Sequence, residues 1–247
     1  MRIRWDESAF FPAPLPPEPS FCYTPFVVGP RPSAGPRRPA PGNERPPMHP
    51  DTIVTIGRQF GAGGREIGRR LAEVLGLPFY DRELLALAAQ GSGLSEHLFE
   101  QHDEKPADSL LYAAWTGPFH PSEPPLGQQV CLAQFQAIRD LAARGGGVVV
   151  GRAADFVLAG RPHLVRIFLY APVEARVERL RARREGLSPE EARRTIRVAD
   201  RRRAAFYGYF TDRKWGDPAT YDLCLDTSRL PVERAVEVLR AFVEAAG

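Results

Sequence analysis

The chain has 247 residues, enough to bury a sizeable core in one large domain or two small ones. Its formal charge is +3, yet residues 1–50 hold six basic and four acidic residues, leaving 27 basic against 26 acidic in the remainder. That near-neutral body gives no charge-driven reason to expect a nucleic-acid partner. No run approaches the roughly 20 apolar residues of a membrane span.

Residues 1–50 carry 14 of the 25 prolines, in stretches such as PAPLPPEPS and GPRPSAGPRRPAPG. Proline lacks a backbone donor and fixes φ, so this segment is expected to be a disordered, non-catalytic leader. It also lacks the basic stretch and apolar run of a secretory signal, which makes a reducing cytoplasm the expected setting. Met48 is the only methionine after Met1. A regulatory tail and a true start at Met48 therefore both fit residues 1–47.

From residue 51 onward, short β-branched runs alternate with longer helical patterns, and residues 51–247 are expected to form one domain. TIVTIG (52–57) reads as a strand and GGREIGRRLAEVLG (63–76) as a helix ended by Gly76. LPFYD (77–81) is a short strand, RELLALAAQ (82–90) a helix, and TGPFHPSEPPLG (116–127) a loop. QQVCLAQFQAIRDLAARG (128–145) has helical spacing, and GGVVVGR (146–152) and HLVRIFLYA (163–171) are strands. PVEARVERLRARRE (172–185) opens with proline in its first turn, and residues 188–210 open with a serine cap followed by Pro189 and two acids. YDLCLDTS (221–228) is a last strand and residues 230–246 a closing amphipathic helix. Strands joined by helices of this length imply a parallel sheet covered on both faces, with ligands beyond its carboxyl edge. The three cysteines, Cys22, Cys131 and Cys224, show neither zinc spacing nor a disulfide framework, and Cys224 reads as a small core residue.

GRQFGAGGREIG follows the first strand and opens the first helix. It holds four glycines in eight residues, at 57, 61, 63 and 64. Glycines let successive N–H groups face one anion, and the helix start adds its positive end. Polyphosphate binding is expected from Gly57, Arg58, Gly61, Ala62, Gly63, Gly64, Arg65 and Glu66. The dinucleotide pattern G-x-G-x-x-G fails here at Glu66. The pattern G-x-x-x-x-G-K-[ST] fails as well: aligned on Gly-Ala-Gly, Gly64 takes the lysine place and Arg65 the hydroxyl place, and shifted by one, Arg65 and Glu66 take those places. Lys105 and Lys214 are the only lysines in the chain, and neither belongs to the loop. Any loop cation is therefore Arg58 or Arg65, and a guanidinium can supply both charge and a bidentate fork.

With ITIGRQFGAGGREIGRRLAEVLGLPFYDRELL, VVVGRAAD, VRIFLYAPVEARVERL and ADRRRAAFYGYFTDRKWGDPATYDLCLDTSRL in that order, the chain from about residue 52 to 246 resembles the cytidylate kinase-like family. This is a divergent branch of the P-loop nucleoside monophosphate kinases. The resemblance implies a P-loop NTPase-type three-layer α/β/α sandwich with a five-stranded parallel sheet in order 2-3-1-4-5. It further implies ATP with Mg2+ as phosphoryl donor and an arginine-rich helical lid. The absent Lys-[ST] pair departs from the true kinases.

Asp81, at a strand end, corresponds to an acceptor-side aspartate of the family, and it also suits the role of helix cap. Arg82 is a second candidate for the acceptor phosphate. Arg152, directly after a buried strand, corresponds to a monophosphate-binding arginine, with Asp155 one turn on to position Mg2+ or order the loop. Eleven arginines lie between Arg176 and Arg203, and most fit solvated helix faces. Arg201, Arg202 and Arg203 cannot share one face, so at least one should turn inward. Arg201 and Arg203 are the expected transition-state cations, ahead of Arg197. FYGYF (206–210) fits core or dimer packing, which leaves a homodimer open.

Three functions follow. The first is phosphoryl transfer from Mg-ATP to a nucleoside monophosphate, CMP or dCMP foremost, with Arg65, Arg201 and Arg203 in the catalytic roles. The others are a nucleotide-binding regulator without turnover, and a kinase for another small acceptor.

Overall fold

The computed structural model describes residues 48–81 and 126–246. The proline-rich leader up to residue 47, the helix expected over 82–90 with Arg82, and the loop expected from 116 as far as 125 lie outside the described residues.

Strands β1 (Ile53–Arg58), β2 (Phe79–Tyr80), β3 (Gly147–Val150), β4 (Leu164–Tyr170) and β5 (Leu223–Asp226) form one sheet in the order β2-β3-β1-β4-β5. Every pairing is parallel, and β1 runs between β3 and β4 with Ile53 opposite both Gly147 and Leu164. Parallel strands need crossovers, and helices supply them. The described helices are α1 (Gly64–Leu75), α2 (Leu126–Ala143), the short α3 (Ala154–Val157), α4 (Val173–Arg183) and α5 (Pro189–Thr211), which lie between strands, and α6 (Val232–Ala246), which follows the last strand. A 3-10 turn, Pro218–Thr220, precedes β5.

The sheet is buried on both faces, which is why its central strands read as unbroken apolar runs. On one face Val54, Ile56, Val148, Ile167 and Leu169 pack against Ile67 and Leu71 of α1 and Leu239 and Val243 of α6. On the other, Ile53 and Val149 meet Ile138 and Ala142 of α2 together with Ala154 and Leu158. These are the three expected layers.

The α5 start matches its sequence signal in detail. Glu191 N donates to Ser188 Oγ at 3.2 Å, Ser188 N donates back to Glu191 Oε2 at 3.0 Å, and Pro189 takes the first helical position. The far half of α5 carries FYGYF, where buried Phe206 and Tyr207 pack with Cys131 and Phe135 of α2. Phe210 meets the Phe135 ring edge-on at 5.0 Å, so this motif packs within its own chain. Burial there pushes the Cys131 thiol up to about 12.

At the amino edge of the sheet, Arg166 and Asp222 tie β4 to β5. Asp222 Oδ2 accepts from Arg166 N at 2.7 Å, and Oδ1 accepts from Arg166 Nη2 at 2.6 Å. Burial pushes the Asp222 carboxyl up, but the hydrogen bonds from Arg166 outweigh it, and the net shift is downward. Among the described residues, no helix is long and apolar enough to cross a membrane.

Candidate active site

The site grows from the junction of β1 and α1 at the carboxyl edge. Gly61 and Gly63 take φ of +81° and +82°, and Gly63 caps α1 without any side-chain bond. Ile67 N donates to Gly63 O at 3.0 Å, so the amides of Gly64, Arg65 and Glu66 have no earlier helical turn to donate to. Gly64 and Arg65 border a cleft of about 260 Å³, lined also by Arg58, Gly61, Gly63, Asp81, Arg183 and Arg203, among others. A helix start with several arginines around it favours an anion.

Distant parts of the chain hold this loop in shape. Gln59 N donates to Leu169 O at 2.9 Å, and Phe60 N donates to Asp200 Oδ1 of α5 at 2.7 Å. Arg176 of α4, only 4% exposed, donates from Nη1 to Phe60 O at 3.2 Å and pairs with Asp200 Oδ2 at 2.5 Å. After β5, the Thr227 hydroxyl donates to Ala62 O at 2.9 Å and accepts from Arg179 Nη1 at 2.9 Å.

The expected loop residues divide by what they touch. Arg65 turns toward Asp81: Nε donates to Asp81 Oδ2 at 2.9 Å and Nη2 lies 2.8 Å from the same oxygen. Asp81 is buried while the Arg65 side chain is 64% exposed, so the arginine anchors the carboxylate at the rim. Glu66 pairs with Arg70 at 3.3 Å and with Arg183 at 2.5 Å, which holds Arg183 beside the cleft. Gly57 sits inside β1, where a β-carbon would come within 2.8 Å of Phe168 Cδ2; its glycine serves packing. Of the three adjacent arginines, Arg201 and Arg202 are exposed and Arg203 reaches the site. Its Nη1 donates to Arg58 O at 3.1 Å, and its guanidinium carbon lies 5.4 Å from the Phe60 ring centroid.

Beyond β3 the chain makes an unusual turn. Gly151, Arg152 and Ala153 all have positive φ, at 88°, 60° and 49°. Two successive non-glycine residues in this region cost about 1–2 kcal/mol each, a strain that clusters at functional sites. Arg152 is buried. With Arg58, Asp155, Arg203, Tyr207, Trp215 and Tyr221 it lines a narrower cavity that shares Arg58 and Arg203 with the cleft.

Asp155 accepts a 2.6 Å hydrogen bond from Tyr207 Oη. Burial holds its carboxyl above the usual range despite Tyr207, the helix-start amides and Arg213. Burial and the Asp155 carboxylate likewise push the Tyr207 and Tyr221 hydroxyls up. Asp155 therefore buttresses α5 against the β3 turn.

The residues at the loop do not form a dedicated Mg2+ cage. Arg65 stands at the hydroxyl place, Asp81 is engaged by Arg65, and Asp155 by Tyr207. Among the described residues no group of three or more His, Cys, Asp or Glu side chains could hold a metal. Mg2+ would arrive with the nucleotide, on its phosphate oxygens.

Sequence reasoning missed Arg176, Arg179 and Thr227 as loop supports. The two arginines were hidden inside an arginine run that looks like a solvated face, and Thr227 has no local pattern at all. Asp200 carried a faint signal, as the lone acid beside three arginines.

A sequence model of the cytidylate kinase-like family matches residues 53–229. A cytidylate kinase from Methanopyrus kandleri is 30% identical over 201 residues, covering 78% of this chain and 93% of that protein. A cytidylate kinase from Pyrococcus horikoshii is 25% identical over 193 residues, covering 78% and 88%. Among solved structures, an uncharacterized protein from Eubacterium ventriosum shares the fold with a TM-score of 0.59, at 24% identity over 78% of this chain and 99% of its own.

Proposed function

The chain belongs to the cytidylate kinase-like family, and from that premise we propose that it transfers the γ-phosphoryl group of Mg-ATP to a nucleoside monophosphate, CMP or dCMP foremost. A phosphate oxygen of the acceptor attacks Pγ; the bond from Pγ to the bridging oxygen breaks, and ADP leaves with the electron pair. The acceptor phosphate is already anionic and needs no general base. The protein's task is positioning and charge stabilisation.

In this reading the amides of Gly63, Gly64, Arg65 and Glu66 face the donor phosphates. Arg152 receives the acceptor phosphate, Arg203 faces the moving group, and Asp81, oriented by Arg65, meets the acceptor nucleoside. One observation carries the reading: the cleft at the α1 start and the cavity beside Arg152 share a wall made by Arg58 and Arg203. Two anions entering from either side would meet across guanidinium groups. We assign the activity to residues 51–247, with residues 1–50 as a non-catalytic leader. The setting is taken as a reducing cytoplasm.

The test is coupled ADP release with Mg-ATP and CMP, dCMP, UMP, AMP or GMP in turn. Turnover highest on CMP or dCMP is expected. Absence of turnover on all five defeats the reading.

A further inference from the structure

We propose that Arg58, the last residue of β1, supplies the cation that a phosphate-binding loop ordinarily takes from a lysine on the first turn of its helix. Gly64 and Gly151 are the clearance that lets it do so. The inference rests on the phosphoryl-transfer reading above and names the residue that replaces the lysine.

In the pattern G-x-x-x-x-G-K-[ST], the lysine leaves the helix at the position Gly64 holds here. A β-carbon placed on Gly64 would lie 2.7 Å from Arg58 Cγ, 2.8 Å from Arg58 Cβ and 3.5 Å from Cδ. Carbon atoms do not pack below about 3 Å, and these are stem atoms fixed to a buried strand. The Arg58 stem thus fills the volume through which a side chain from position 64 would emerge.

The head of the same side chain lies against the β3 turn. A β-carbon on Gly151 would fall 2.1 Å from Arg58 Nη1 and 3.0 Å from Cζ. Arg58 therefore runs from the α1 start to the entrance of the Arg152 cavity, and it lines both that cavity and the cleft. Its backbone is fixed as well, since its carbonyl accepts from Arg203. A guanidinium with this span presents its fork between donor and acceptor phosphates. An ordinary loop lysine reaches the β- and γ-phosphates as a point charge. Arg65, the other loop cation, directs its donors to Asp81 and acts by positioning that carboxylate.

The experiment uses the full chain with Mg-ATP and CMP, reading ATP affinity by calorimetry, turnover by ADP release and melting temperature by calorimetric scan. Arg58→Gln is expected to lose roughly 100-fold in turnover, while Arg65→Gln loses at most about 10-fold. Gly64→Lys alone should be as impaired as Arg58→Gln, because two cationic side chains compete for one channel. The double variant Arg58→Gly with Gly64→Lys returns the cation to the helix and should recover at least about 10-fold over Arg58→Gln. Wild-type affinity and turnover in Arg58→Gln, or a larger loss in Arg65→Gln, overturns the assignment.

Should Arg58→Gln fail to fold, Arg58→Lys against Arg58→Met keeps the stem and varies only the charge. Equal ATP affinities for that pair overturn the assignment too. A wild type that binds ATP but phosphorylates no acceptor removes the proposed function alone, and the affinity comparison still decides Arg58. A wild type that binds no ATP removes both.

Discussion

The two edges of the sheet use the same residue types for different ends. At the amino edge, Gly76, Gly145 and Gly160 have positive φ, and a β-carbon on any of them would meet nothing within 4 Å. They let the chain turn and nothing more. At the carboxyl edge, Gly64 has an ordinary backbone, yet its missing β-carbon makes room for Arg58. Ion pairs divide in the same way. Arg166–Asp222 at the amino edge is partly exposed and joins neighbouring strands, whereas Arg176–Asp200 is largely buried and grips the peptide of Phe60 from both sides. A glycine or an ion pair gains functional meaning from what lies against it.

The largest effect that would test this contrast is Asp200→Ala. It leaves the Arg176 guanidinium buried without its carboxylate and removes the acceptor of Phe60 N, so a loss of about 3 kcal/mol is expected in urea denaturation. ATP affinity should fall with it; a loss below that seen for an exposed pair would erase the distinction. Next come the glycines. Gly64→Ala should cost about 2 kcal/mol by overpacking and weaken ATP binding at least about 10-fold. Gly76→Ala should cost about 1 kcal/mol through its left-handed backbone and leave ATP affinity unchanged. Equal affinities for the two variants would contradict the clearance role of Gly64.

The smallest effects concern pH, and their signs oppose one another. The Asp222 carboxyl titrates below its ordinary value in the fold, so its contribution is present above a pH of about 4 and lost as pH falls below that. Asp222→Asn should remove up to about 1 kcal/mol at neutral pH and flatten the acid limb of the stability curve. Asp155 titrates above its ordinary value, so its contribution is present at low pH and lost as pH rises through the raised value. Asp155→Asn keeps an acceptor for Tyr207 and should abolish that loss. Melting curves between pH 3 and 8, on the order of the range where carboxyls titrate, separate the two.

Much of the fold was legible because it rests on local signals. The apolar runs IVTI and VVV, the glycine after α1 and the Ser-Pro-Glu-Glu start of α5 each specify their element within a few residues. The β2-β3-β1-β4-β5 order came from family resemblance, since short strands alone do not fix their sequence in a sheet. Helix α3 escaped notice because its entry uses Arg152 and Ala153 at positive φ, where sequence offers no glycine to mark a left-handed turn. The site was legible as a loop but not as a mechanism of support. Phe60 and Asp200 are 140 residues apart, and Ala62 and Thr227 are 165 apart. Such contacts leave no periodicity to read. Arg176 shows the opposite failure: in sequence it is one arginine among eleven, and only packing reveals it as buried.

The Thr227 hydroxyl carries a consequence for how the molecule assembles. It fastens Ala62 from beyond the last strand, so the cradle between β1 and α1 gains this contact only once residue 227 is in place. Occupancy of the cradle should therefore be felt at the opposite terminus, as slower amide exchange and slower protease clipping around β5 and α6. A polypeptide halted before this threonine would keep the residues of all five strands, lack α6, and be a poor receptacle for triphosphate.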